Sequence, residues 1–230
     1  MCVVSYIPLK KGFILTSNRD ENHQRLTVPP KKYIHNNDTL VYPKDLEKGG
    51  TWFALNSSEK KIACILNATG KNNTKEYNQS RGQLLLQTLL PEKLKLNTVE
   101  LENTAPFVLL TLTFGSLPIF KEYSWDGEII SVRKKDLKQP KIWCSNTLYS
   151  PIENKKIRAL FEKELSQLNS SNSILKFHKS LSQPLNSSVF LIKNAGIKTV
   201  SSTSFKFENK TKELFYNDFN EEKTTFLKNL

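Results

Sequence analysis

The opening of the chain constrains its fold more than any later stretch. Two runs rich in β-branched and aromatic residues, Val3-Val4-Ser5-Tyr6-Ile7 and Phe13-Ile14-Leu15-Thr16, flank a Lys10-Lys11-Gly12 break. That pattern is a hairpin signal. A turn centred between Lys10 and Gly12 sets Cys2 opposite a residue between Asn18 and Glu21. One end of the ribbon then gathers a thiol, the chain terminus and a group of polar and charged side chains.

That gathering has a chemical use. Cys2 follows Met1, and a residue this small allows Met1 to be removed, so the expected mature chain begins at Cys2 with no longer propeptide. Cys2 then carries a thiol of reference pKa about 8.5 and an α-amine of about 7.7–8.0. One residue supplies both a nucleophile and a base. Arg19 favours the thiolate through its charge, and Asp20 can orient the ammonium. The plainer alternative makes Cys2 a small buried hydrophobe at a strand start and Arg19 and Asp20 a surface ion pair.

Downstream, hairpin signals recur. Residues 23–43 are polar and contain Pro29-Pro30, which predicts an irregular loop with one short strand at Thr39–Tyr42. Gly49-Gly50 leads into a strand over Thr51–Leu55. Asn56-Ser57-Ser58 then returns the chain through Lys61–Leu66 to Asn67, whose amide could serve a developing oxyanion or simply occupy a turn. Gly70–Gln79 reads as a polar candidate lid. Gln83–Leu90 reads as a short apolar helix stopped by Pro91. Strands follow over Phe107–Phe114, Leu117–Trp125 and Glu128–Arg133, with Asp126-Gly127 a two-residue turn, and then over Lys141–Cys144.

Ser150-Pro151-Ile152-Glu153 has the form of a capping box with proline at the first helical position. The helix behind it aligns Ile157, Leu160, Phe161, Leu165 and Leu168 on one stripe. A second short helix is predicted around Ile174–Leu181, and strands over Ser187–Lys193, Lys198–Glu208 and Glu213–Asn217. Hairpins dominate, with two main helices between them. The expected class is α+β, with two antiparallel sheets packed as a sandwich.

A net charge of +12 invites a nucleic-acid reading. Only five of the 34 basic residues are arginine, however, and the lysines are scattered in doublets among acidic residues with no nucleic-acid motif. The charge reads as a solvated lysine surface, and no nucleic-acid partner is expected. No apolar run reaches the roughly 20 residues a membrane helix needs, so no integral membrane segment is expected. Three cysteines, Cys2, Cys64 and Cys144, make no disulfide framework. With no signal-peptide pattern, a reducing, cytoplasmic location is the expectation.

Met1-Cys2, the run Leu15-Thr16-Ser17-Asn18-Arg19-Asp20-Glu21 and the segment Lys44–Trp52 resemble, in order, the NRDE family. So do Ile65-Leu66-Asn67, Ser80-Arg81-Gly82, Ser145-Asn146 and Thr199-Val200-Ser201-Ser202-Thr203. Its eukaryotic members are called transport and Golgi organisation protein 2. The resemblance spans nearly the whole chain and implies one N-terminal-nucleophile (Ntn) hydrolase-like domain over residues 1–230. That fold is a four-layer αββα sandwich of two antiparallel sheets, similar to the penicillin V acylase and bile-salt hydrolase group.

By resemblance, Cys2 is the nucleophile, Arg19 and Asp20 the charged pair beside it, and Asn146 the strand-end asparagine that contacts amine and substrate. Asn67 is implied as an oxyanion donor, and Arg81, Asn18 and Trp52 as substrate-binding. Val200 stands where many relatives carry arginine, a departure from the family pattern.

The implied activity is hydrolysis of a linear amide or related acyl group in a small molecule, requiring no cofactor or metal. The alternative is a haem or lipid carrier without turnover, since family members are linked to haem handling. As haem ligands the sequence offers His23, His35, His178 and the cysteines, in no diagnostic pattern.

Overall fold

The computed structural model describes residues 3–35, 37–70, 76–91, 96–181 and 196–230. Cys2, half of the Gly70–Gln79 lid candidate and the expected strand Ser187–Lys193 lie outside the described residues. The chain forms two compact units: Met1–Gln24 with Lys138–Leu230, and Arg25–Leu137. Each holds one antiparallel sheet, so the α+β class and the pair of antiparallel sheets expected from the sequence are both present.

The Arg25–Leu137 unit is a seven-stranded meander. Its strands are β3 (Thr27–His35), β4 (Asp38–Asp45), β5 (Phe53–Asn56), β6 (Lys61–Asn67), β7 (Phe107–Thr113), β8 (Ile119–Trp125) and β9 (Ile130–Lys134). Each pairs with the next in sequence. Helix α1 (Arg81–Thr88) buries Leu84, Leu85 and Leu86, and a four-residue helix, α2 (Thr98–Leu101), starts under an Asn97 cap.

The expectation of an irregular loop over 23–43 is overturned, because β3 and β4 form a full hairpin there. Pro29-Pro30 hid it. Proline donates nothing to a strand ladder, so in sheets it is confined to edges and bulges. β3 meets both conditions: it is an edge strand, and its register shifts between Val28 and Lys31.

Gly49-Gly50 has a packing reason. A Cβ on Gly50 would lie 2.6 Å from the Gly82 carbonyl carbon, and one on Gly82 would lie 2.7 Å from the Thr51 nitrogen. The loop and the start of α1 touch backbone to backbone.

The other unit holds a six-stranded sheet in the order β10-β1-β2-β11-β12-β13. These are β1 (Val3–Leu9), β2 (Gly12–Asn22), β10 (Lys141–Cys144), β11 (Ile197–Glu208), β12 (Thr211–Asp218) and β13 (Lys223–Lys228). Lys10-Lys11 makes the opening turn and Leu9 faces Gly12, as the sequence predicts. Only glycine fits at position 12, where a Cβ would lie 1.8 Å from the Phe207 carbonyl oxygen. The edge strand β13 had no sequence signal.

Side-chain alternation divides this sheet into two faces. Val3, Ser5 and Ile7 of β1 share one face with Ile14, Thr16, Asn18 and Asp20 of β2. Helices α3 (Pro151–Glu164) and α4 (Ser171–Ser180) pack on that face. Val3, Ile7 and Ile14 join Ile157, Phe161, Leu168, Ile174 and Phe177 in one buried cluster. The capping box at α3 forms as predicted: the Ser150 amide donates to the Glu153 carboxylate at 2.6 Å, and the Glu153 amide donates to the Ser150 hydroxyl. Fully burying side chains of this size contributes roughly 1.5–3 kcal/mol each.

The opposite face starts apolar, with Tyr6, Phe13, Leu15, Phe205 and Leu214, and turns polar through Ser17, Arg19, Ser201 and Thr203.

Candidate functional site

The polar end of β2 is the most unusual stretch of the molecule. Thr16, Ser17, Asn18, Arg19 and Asp20 run consecutively and none is more than 2% exposed. The β11 residues facing them are Thr199, Ser201, Ser202, Thr203 and Ser204, all buried as well. Apolar residues would serve a plain core better, because a buried polar group costs free energy unless it is bonded. This polar seam between the second strand and a strand some 180 residues later is the candidate site.

Asp20 is its centre. The Tyr149 hydroxyl donates to Asp20 Oδ2 at 2.8 Å, and the Thr199 hydroxyl donates to Oδ1 at 2.5 Å. Tyr149 arrives through the turn after β10, where its amide donates to the Ser145 carbonyl at 3.1 Å just ahead of the α3 cap. Thr199 arrives through a β-bulge. The register of β11 against β2 runs Thr199 to Asp20 and then Ser201 to Arg19, leaving Val200 as the extra residue.

The bulge matters because Arg19 and Asp20, as neighbours on a strand, point to opposite faces. In a regular strand Thr199 and Ser201 would share a face. The extra residue lets one strand put a hydroxyl beside Asp20 on the helix-bearing face and another beside Arg19 on the opposite face. The Phe219 amide pins the bulge by donating to the Val200 carbonyl at 2.9 Å. Val200 is therefore the bulge residue itself.

Arg19 shares its face with Asp218 and Tyr216 of β12, which pair with Ser201 and Thr203 of β11. The Tyr216 hydroxyl donates to Asp218 at 3.3 Å. Burial raises the Tyr216 phenol above its ordinary value, with Arg19's charge acting the other way.

Asn18 is engaged by α4: its amide nitrogen donates to the His178 carbonyl at 2.9 Å, and its Oδ1 meets His178 Nδ1 at 3.0 Å. The other ring nitrogen of His178 meets the Ser5 hydroxyl at 2.7 Å. Burial holds the His178 imidazole far below its usual range, at about 3, so it is neutral.

Asn146 lies exposed in the turn after β10, within the same unit as β2. Asn67, Trp52 and Arg81 belong to the Arg25–Leu137 unit. There Asn67 ends β6, and Trp52 is buried with its carbonyl accepting from the Ile65 amide. The Pro106 carbonyl accepts from both the Arg81 guanidinium and the Ala68 amide, which brings Arg81 to the end of β6. Cys2 itself is outside the described residues.

The two described cysteines are poor nucleophiles. Cys64 is wholly buried and its thiol is pushed far up by that burial. The Cys144 thiol is pushed up to about 12, chiefly by burial, with the Arg158 guanidinium opposing the shift.

Of the candidate haem ligands, His23 is exposed, while the other two histidines are hydrogen-bonded. His178 has both ring nitrogens engaged, and His35 meets the Tyr42 hydroxyl through Nε2 at 2.9 Å.

Tyr149 and Thr199 are seam residues that sequence reasoning missed, and His178 was named only as a possible haem ligand. Thr199 lay inside a recognised motif, but its role needs the bulge. Tyr149 stood unremarked between Ser145-Asn146 and the α3 cap.

Fold and site together define an α+β protein with a buried, charged seam in one of its two antiparallel sheets. The chain belongs to the Transport and Golgi organisation 2 family, whose family model matches residues 1–224. No curated protein matches the chain. Among the described residues no helix is long and apolar enough to cross a membrane.

Proposed function

We propose that the protein is an N-terminal cysteine hydrolase that cleaves a linear amide or related acyl bond in a small molecule, with Cys2 as nucleophile once Met1 is removed. The observation that carries this reading is Asp20, a carboxylate 2% exposed and held by two hydroxyls. Burying such a charge costs several kcal/mol before compensation. The strand beside it is β1, whose first described residue, Val3, is bonded to Cys2.

In this reading the Cys2 sulfur adds to the substrate carbonyl carbon while the α-amine takes the thiol proton. The amine returns the proton to the leaving nitrogen as the C–N bond breaks. Water then attacks the thioester, releasing the acid and restoring Cys2. Asp20, fixed by Tyr149 and Thr199, orients the α-ammonium. Arg19 favours the thiolate, and Asn146 contacts amine and substrate.

The test is turnover of a panel of N-acyl amino acids and acyl thioesters, run beside haem titration followed by absorbance. Cys2→Ala keeps the α-amine and removes the thiol, while Asp20→Asn keeps the shape and removes the charge. Both should lower turnover by about 10²–10⁴-fold or more. Turnover unchanged in Cys2→Ala overturns the proposal. A silent wild type that binds haem stoichiometrically favours the carrier reading.

A further inference from the structure

We propose that His178 is a positioning residue for the Asn18–Asp20 stretch of β2, gripping the Asn18 carboxamide with its ring and its own carbonyl while Ser5 of β1 holds the ring. This rests on the hydrolase reading, because the strands it ties together are the one that Cys2 precedes and the one that carries Arg19 and Asp20. His178 is wholly buried, as are Ser5 and Asn18. The three side chains come from α4, β1 and β2, so the contacts fix one helix to both strands at once.

The protonation pattern follows from the contacts. Asn18 Nδ2 donates to the His178 carbonyl, which leaves its Oδ1 as acceptor. His178 Nδ1 must therefore carry the proton it shares with Oδ1, and Nε2 accepts from the Ser5 hydroxyl. The neutral ring has no hydrogen-bonding capacity left for substrate or proton transfer. Its work is to hold Asn18, and through one peptide bond Arg19 and through two Asp20, in a single setting.

Misplacement of about 1 Å at a reacting group can cost 10²-fold in rate, which is the consequence of loosening this grip.

Two substitutions separate the contacts. His178→Asn places an amide nitrogen where Nδ1 lies and keeps a donor for Asn18. His178→Gln places one where Nε2 lies and keeps only the Ser5 side. The readouts on the full chain are hydrogen exchange of the peptide containing Asn18–Asp20, the pH profile of Cys2 alkylation by iodoacetamide, and the melting temperature. His178→Gln should speed exchange of that peptide and slow Cys2 alkylation, each about tenfold or more. His178→Asn should stay within about threefold of the wild type at a similar loss of melting temperature.

Indistinguishable variants, or effects that follow melting temperature alone, overturn the positioning role. Wild-type Cys2 that labels no faster than Cys144 would instead count against the hydrolase reading. The exchange data then decide by themselves whether His178 positions β2.

Discussion

The two sheets are assembled by opposite rules. In the seven-stranded sheet every strand pairs with its neighbour in sequence, and its buried residues are mainly aliphatic and aromatic: Leu40, Phe53, Ile62, Phe107 and Leu109 among them. In the six-stranded sheet the central pairing joins β2 to β11, and the polar buried residues gather along that seam. Local pairing builds a framework that hairpin chemistry can specify. Long-range pairing brings Asn18–Asp20 beside Thr199–Thr203, and extra devices hold it there. Those devices are a bulge at Val200, a hydroxyl clamp on Asp20 and a histidine bridge from α4.

The largest effect should come from opening the seam itself. Phe205, wholly buried opposite Leu15, should cost about 3–5 kcal/mol when cut to alanine, measured by urea denaturation. Val132, 52% exposed on the edge strand of the meander, should stay within about 0.5 kcal/mol on the same change. Equal costs at the two positions would break the contrast.

Thr199→Val keeps the shape and removes one donor to Asp20. Hydrogen bonds to charged groups are worth about 1.5–3 kcal/mol, so a loss of that size is expected by denaturation. A drop in any Cys2-dependent turnover should accompany it. A neutral result would mean that the bulge is only a packing feature.

The effect smallest at neutral pH is a pH dependence. The buried His178 has a folded pKa of about 3, against about 6.5 unfolded. The unfolded chain therefore binds the extra proton first. Stability is unaffected above pH 6.5 and is lost as pH falls toward 3, amounting to about 2 kcal/mol by pH 5. His178→Asn should flatten that part of the curve. An unchanged curve would place the acid sensitivity elsewhere.

The sequence exposed what local chemistry encodes. The β1–β2 hairpin was legible from Lys10-Lys11-Gly12. The α3 start was legible from Ser150 and Glu153. Asp126-Gly127 marked the place of a turn but not its length: Trp125 pairs with Ile130, so four residues connect the strands, and the Asp126 carboxylate accepts from the Glu128 and Ile129 amides. The β3 strand was hidden because prolines that forbid a central strand are tolerated on a bulged edge. The seam was legible only as a family motif, since nothing in the spacing of Asn18–Asp20 and Thr199–Thr203 says that they pair. Tyr149 and His178 were invisible as partners for the same reason: a helix lead-in and a helical histidine reveal their contacts only when α3 and α4 lie on the sheet.

Of the sites named by resemblance, the structure gathers Asn18, Arg19 and Asp20 on one strand. It gives Asn18 a structural partner that sequence could not foresee.

The central claim is that the polar seam serves a reactive Cys2. Its most direct test is iodoacetamide labelling of the three cysteines at graded pH, read by peptide mass. Cys64, buried in β6, and Cys144, with its thiol pushed up to about 12, set the background. Cys2 should label fastest, with a midpoint below the ordinary thiol value of about 8.5, because Arg19 and the terminal ammonium favour the thiolate. Labelling of Cys2 at the same rate as Cys144, or more slowly, would contradict the account.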